Sequence, residues 1–250
     1  MLAGYGHLLR AADRLRWDEA DLDLAGDADA WPKLPKYLRV PLARLLSGFC
    51  VAENAVAEHL EPFEAGTDDP ELRACFAAQA DDERRHARFF NRVVSEVLGV
   101  DPEDEARELA GAGVVELFEH TLPAKAQDLA DGRCDLSQAV TLYHLVLEGV
   151  VFSVGQAAAL ELLDEAATLP GTREGVNNVQ ADERWHVGLG VRCLQDTGVR
   201  EKELEETLNS AARATSAWQT DRIGPSQVAH AVEQHRRRLA QAGRTAEAAA

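Results

Sequence analysis

The chain has 250 residues and a formal net charge of −17. Hydrophobic residues make up 46% and charged residues 28%, a balance that buries a sizeable core and keeps a solvated surface. The acidic excess repels phosphate backbones and anionic lipid, so no nucleic acid is expected as a partner, and no apolar run is long enough to predict a membrane span.

Four cysteines, Cys50, Cys75, Cys134 and Cys193, form no C-x-x-C pair. That spacing excludes a thiolate metal site and a disulfide framework, and it suits a reducing, cytoplasmic compartment. Ala, Leu, Glu and Arg dominate, which favours helix over sheet.

The first residues, "MLAGYGHLLRAADRLRW", read as a short amphipathic helix without the unbroken apolar run of a signal peptide. Residues 17–36 are rich in Asp, Gly and Pro and predict an extended lead-in segment. A first long helix is expected over about 38–63, with Pro41 in its first turn and Pro62 at its end. A second is expected over about 70–99, capped by Asp69, begun by Pro70 and closed by Gly99.

Residues 102–130 predict one or two helices broken near Gly111, Gly113 and Pro123. A third long helix, capped by Asp135, spans about 136–167 and is apolar nearly all round, so it belongs in the core. A fourth covers about 172–195. Two more polar helices follow, over about 200–243 and split by "GPS" at 224–226, and the last residues are expected to fray. The sum is an all-α chain of one domain over 1–250: a four-helix bundle over about 38–197 with flanking helices.

One signature occurs twice. "ADDERRH" ends on His86 and "ADERWH" on His186, and both contain Asp-Glu-Arg-x-His. Glu and His three apart on a helix lie about 60° apart around its axis, so Glu83 with His86, and Glu183 with His186, can each face one way. Carboxylate and imidazole together suit iron, manganese or zinc. With eight histidines, chance alone gives on the order of one Glu-x-x-His match, so the repeat needs support.

Support comes from upstream. A two-metal bundle needs one further inward Glu on each partner helix. Glu53 lies 30 residues before Glu83, and Glu148 lies 35 before Glu183. Glu148 is the one charge between Asp135 and Glu161, and a lone carboxylate in such a stretch is costly unless paired or metal-bound. Glu58 competes with Glu53 but lies nearer a helix end. Asp82 and Asp182 precede the motif glutamates; Asp182 is expected to orient His86 across the bundle, and Asp82 to do the same for His186. The other six histidines read as surface or structural residues.

These stretches resemble the ribonucleotide reductase small-subunit superfamily, of ferritin-like fold, and within it the manganese/iron ligand-binding oxidases most closely. "RWDEADLDLAGDADAW", "AENAVAEHLEPF", "LYHLVLEGVVF" and "ADERWHVGLG" carry the likeness over about 16–195. The resemblance implies that Glu53 and His86 hold one metal, Glu148 and His186 the other, and that Glu83 and Glu183 lie between them. It implies a cofactor of two metal ions, Fe/Fe or Mn/Fe. Trp17 matches a Trp that delivers an electron in the reductases.

Phe90 stands where tyrosyl-radical members carry their Tyr, which excludes that radical. Val56 and Tyr143 match the pair that an ether cross-link joins in the ligand-binding oxidases. The implied partners are dioxygen, an external electron donor, an apolar small-molecule or fatty-acyl ligand, and a second copy of the chain. Small and apolar residues beside Glu148, namely Gly149, Phe152 and Gly155, are expected to line the ligand pocket. Against the family pattern the chain looks short, and its C-terminal helices match poorly. A biosynthetic oxygenase on a small metabolite, and a reductase subunit without a tyrosyl radical, are the alternatives.

Overall fold

The computed structural model describes residues 3–197 and 201–247. Among the described residues every regular element is helical. Helix α1 (Tyr5–Leu15) precedes a short α2 (Ala25–Ala30), and α3 (Lys36–His59) is followed at once by α4 (Glu61–Ala65). Helix α5 (Pro70–Arg92) continues through a wide π-helical stretch, Val93–Leu98. Then come α6 (Asp104–Ala110), α7 (Ala112–Val115) and α8 (Leu122–Ala130), the last two joined through a π-helical stretch at Glu116–Thr121. Helix α9 (Leu136–Val140) runs through a long π-helical stretch, Thr141–Phe152, into α10 (Ser153–Ala166). Helix α11 (Pro170–Thr197), α12 (Glu201–Ala214) and α13 (Pro225–Glu247) complete the chain.

Four of these units form a ferritin-like bundle: α3, α5, the continuous run Leu136–Ala166, and α11. Helix α3 packs on α5 and α10, and α11 packs on α5, α10 and the π-helical stretch between α9 and α10. Two runs, Lys36–Ala65 and Leu136–Ala166, are long and apolar enough to cross a membrane, yet both are mostly buried inside the bundle. Their hydropathy reflects core positions.

Local chemistry sets the helix ends. The Asp69 carboxylate accepts from the Glu71 and Leu72 amides at 2.8 and 3.1 Å, and Gly99 closes the helix at φ +68°. Asp135 and Gln138 form a capping box. Asp27 does something less local: its buried carboxylate accepts from the Thr172 amide at 2.6 Å and the Gly171 amide at 3.3 Å, capping α11 from the lead-in segment.

Several boundaries differ from expectation. The lead-in segment is not extended throughout; its small residues let α2 and two single 3₁₀ turns form while it straps α5 and α11. Helix α3 begins at Lys36, which places Pro41 inside it, beyond the first turn. Proline cannot donate to the Tyr37 carbonyl, and the Arg222 guanidinium donates there instead at 3.0 Å. Pro62 opens α4, where its missing N–H costs nothing. Between 104 and 130 the chain breaks at Gly111 (φ +86°) but not at Gly113 or Pro123. Helix α13 is described to Glu247, through most of the tail expected to fray; residues 248–250 lie outside the described residues.

Candidate metal centre

Each bundle unit sends at least one glutamate inward. Glu53 comes from α3, Glu83 and His86 from α5, Glu148 from the π-helical stretch, and Glu183 and His186 from α11. All six side chains are buried. Glu58, by contrast, is exposed. Ligand atoms of Glu53, Glu83, His86 and Glu183 converge within 4.8 Å of one another, and so do those of Glu83, Glu148 and His186. Two overlapping nests result, sharing Glu83.

The imidazoles face the carboxylates through the same nitrogen. His86 Nδ1 lies 3.1 Å from Glu83 and 3.7 Å from Glu53. His186 Nδ1 lies 3.1 Å from Glu83, 3.5 Å from Glu148 and 3.7 Å from Glu183. Both oxygens of Glu53 and of Glu183, one oxygen of Glu148, and His186 Nδ1 have no hydrogen-bond partner of good geometry. Such orphaned buried atoms are costly alone and are the expected state of a ligand set whose partner is a cation. Four ionised glutamates and two neutral imidazoles carry four negative charges, which two divalent cations cancel. The donor set therefore fits two metal ions.

Without metal, protons take that role. Burial pushes the Glu148 carboxyl up to about 8, with Glu183 adding repulsion. Burial also raises Glu53 and Glu183. Burial opposes charge on His86 and His186, but their carboxylate neighbours outweigh it and hold both imidazoles well above 6.5. Burial acts against Glu83 too, yet the two imidazoles hold it well below the usual range.

The far nitrogens are held in a matched way. His86 Nε2 lies 3.0 Å from Asp182 Oδ2, which also accepts from the Trp17 indole at 2.8 Å. His186 Nε2 lies 3.3 Å from Asp82 Oδ2, which accepts from the Trp185 indole at 3.0 Å. Arg85 joins the halves: one guanidinium nitrogen donates to Asp82 Oδ1 at 2.6 Å and to Asp182 Oδ2 at 2.9 Å. Trp17 covers this guanidinium at 5.2 Å.

Beside Glu148, the Tyr143 hydroxyl donates to Glu83 at 2.8 Å, and Gln79 donates to Glu148 at 2.7 Å. Burial and the surrounding glutamates raise the Tyr143 phenol well above 10. Val56 is fully buried on α3, one turn beyond Glu53. Phe90 is buried and stacked on Phe49 at 5.2 Å.

The expected pocket residues serve another purpose. A Cβ at Gly149 would sit 2.7 Å from the His235 ring, and one at Gly155 would sit 2.5 Å from the Trp218 ring. Phe152 stacks on Phe118 at 5.1 Å. The space beside Gly149 and Gly155 is filled by the chain's own C-terminal side chains, His235 from α13 and Trp218 from the 3₁₀ turn Thr215–Trp218 that follows α12. Small residues there admit close packing, so the pocket expected at these three positions is not open.

Gln79, Arg85 and Trp185 escaped the sequence reading, and His235 was placed only among the surface or structural histidines. Gln79 precedes Glu83 by four and so shares its helix face, a signal that was available. Arg85 and Trp185 sit inside the two motifs but read as ordinary helix residues. His235 is fully buried with neither ring nitrogen bonded, which no local pattern discloses.

The fold and this side-chain set define a ferritin-like bundle with a paired carboxylate–histidine centre. The chain belongs to the ribonucleotide reductase small chain family, whose sequence profile matches residues 6–220. It is similar in structure to a valine-to-isoleucine variant of an R2-like ligand-binding oxidase with anaerobically reconstituted Mn/Fe cofactor, at 20% identity and a TM-score of 0.81 over 96% of this chain and 93% of that one. It is also similar to a glycine-to-leucine variant of an R2-like ligand-binding oxidase with aerobically reconstituted Fe/Fe cofactor, at 19% identity and a TM-score of 0.80, with the same coverage of 96% and 93%. At such identity the likeness is one of fold. The profile stops at residue 220, before α13, so the last helix shares the neighbours' fold without matching the family profile.

Proposed function

We propose that the chain is a dinuclear metal-dependent oxidase or oxygenase that activates dioxygen, using Fe/Fe or Mn/Fe held by Glu53, Glu83, His86, Glu148, Glu183 and His186. The observation that carries this reading is the convergence of four buried glutamates whose oxygens are largely orphaned around two imidazoles. When bound, the metal pair would supply the electrons and Lewis acidity that dioxygen reduction and substrate oxidation require. The chain's own part is positional. Asp182 and Asp82 hold the two Nε2–H groups, leaving each Nδ1 free to bind. Trp17, partly buried beneath a surface cleft of about 460 Å³, offers an external donor an indole bonded to Asp182.

The phenol of Tyr143, bonded to Glu83, and buried Val56, one turn beyond Glu53, make the ether cross-link part of this proposal. A second copy of the chain and a cytoplasmic setting complete it. Anaerobic titration with Fe2+ and Mn2+ should load two ions per chain, and the loaded protein should then consume dioxygen on exposure to air. A protein that takes up neither ion overturns the proposal. Peptide mass spectrometry after aerobic loading should find the Val56 and Tyr143 peptides joined with loss of two hydrogens.

The ligand admits two readings. A fatty-acyl ligand follows from the resemblance. A small apolar metabolite is favoured by one observation: Trp218 and His235 fill the space beside Gly155 and Gly149 that an acyl tail would enter. Native mass spectrometry of the purified protein separates them. A co-purifying long-chain acid supports the first, and its absence together with oxidation of a small substrate supports the second.

A further inference from the structure

We infer that Arg85 is a positioning residue that couples the two metal positions, so that ordering one half of the centre prepares the other. The inference rests on the dinuclear reading above. Its basis is a single unbroken path of hydrogen bonds: His86 to Asp182, Asp182 to Arg85, Arg85 to Asp82, and Asp82 to His186. One guanidinium nitrogen serves both aspartates, at 2.6 and 2.9 Å, so neither carboxylate can shift without changing the other's donor. Arg85 is 5% exposed, and the ion pairs it makes are shielded from solvent. Removing it would leave two buried aspartates with no shared cation between them.

The direction of coupling follows from the roles of the two nitrogens. A metal at His86 Nδ1 fixes that ring and favours the Nε2–H bond to Asp182. Asp182, held in place, fixes the Arg85 nitrogen, and that nitrogen fixes Asp82 against His186. The second ion then meets a ring already in the correct tautomer and orientation. Arg85 donates from α5 to Asp182 on α11, so the coupling crosses the bundle, whereas its bond to Asp82 lies within one helix turn. Trp17 adds an indole donor to the same Asp182 Oδ2 that meets His86 and Arg85, and Trp185 adds one to the Asp82 Oδ2 that meets His186.

The test uses Mn2+ alone, titrated anaerobically into the metal-free full-length chain, with anomalous diffraction from crystals soaked below saturation to assign each position. Arg85→Gln is expected to weaken both positions by about 10–100-fold and to abolish cooperativity between them. Arg85→Lys keeps the charge on a stem one bond shorter and should regain part of the loss. Loss confined to one position overturns the coupling. Unchanged affinity with a lowered melting temperature also overturns it, since Arg85 would then be only a clamp between helices. If Arg85→Gln does not fold, the Arg85→Lys titration decides by the same criteria. A wild-type chain that binds no Mn2+ or Fe2+ fails the dinuclear reading itself, a result distinct from either Arg85 outcome.

Discussion

The two halves of the centre are built alike but set in different surroundings. In each, a histidine turns Nδ1 inward and Nε2 toward an aspartate that also holds an indole. The aspartate comes from the opposite helix in both cases, Asp182 for His86 and Asp82 for His186. They differ in what covers them. Trp17 belongs to the lead-in segment and borders a surface cleft, whereas Trp185 is buried on α11. Equivalent local chemistry is thus given one open side and one closed side by the segment laid over it. Trp17 therefore lies at the surface end of its half, and Trp185 does not.

The sharpest break in that comparison is Glu83, which both halves share. Glu83→Ala should abolish loading at both positions, whereas Glu53→Ala and Glu148→Ala should each empty mainly one; metal content by elemental analysis reads this directly. Next come the aspartates. Asp182→Ala should weaken metal binding at the His86 position about 10–100-fold, about 1.4–2.7 kcal/mol, with a smaller loss passed to the other position through Arg85. Asp82→Ala should do the reverse. Equal losses at both positions from either variant would erase the distinction between the halves.

Proton linkage gives a third expectation. The Glu148 carboxyl lies at about 8 in the metal-free fold, above its ordinary 4.5, so its contribution to stability is complete below about 4.5 and is lost as pH rises through about 8. The raised imidazoles act in the same direction, their contribution being lost as pH climbs above 6.5. Metal binding displaces these protons and strengthens with pH. The melting temperature of the metal-free chain should therefore fall between about pH 5 and pH 8.5 while the metal-induced increase widens. A constant increase across that range would refute the assignment of protons to the metal positions.

The smallest effect on metal binding is expected on the flank of one half, where a substitution should cost stability alone. Gly155→Ala pushes a methyl to within 2.5 Å of the Trp218 ring and should cost about 1–3 kcal/mol, seen as a lower melting temperature. The same change should leave the Asp182–His86 side and its metal affinity untouched. A stabilised variant would mean that Trp218 moves aside readily and that the face can open to a ligand.

Much of the fold was legible because helix caps and period are local. Asp69, Asp135 and Gly99 act within a few residues of where they stand, and the bundle follows from four apolar faces. The lead-in segment was misread because α2 is held by a remote partner: Asp27 caps a helix that starts at Pro170. The convergence of Glu53, Glu83, His86, Glu148, Glu183 and His186 was foreshadowed by several signals together: the repeated Asp-Glu-Arg-x-His motif, one Glu upstream of each copy, and the isolation of Glu148 in an apolar run. The pocket was not, because a glycine beside a site reads the same whether a ligand or a tryptophan fills its space.

The sequence by itself determined the class of helix bundle and the kind of atoms at its centre, since periodicity and the side chain at each inward position are local properties of the chain. The pairing of Asp182 with His86 was expected from the doubled motif; tertiary structure was needed to place Arg85 between the two aspartates and to bring Trp218 and His235 against Gly155 and Gly149. Those contacts join residues from about one hundred positions apart down to the far C-terminal helices. Only the packing angle and register of whole helices can bring them within hydrogen-bond or van der Waals reach.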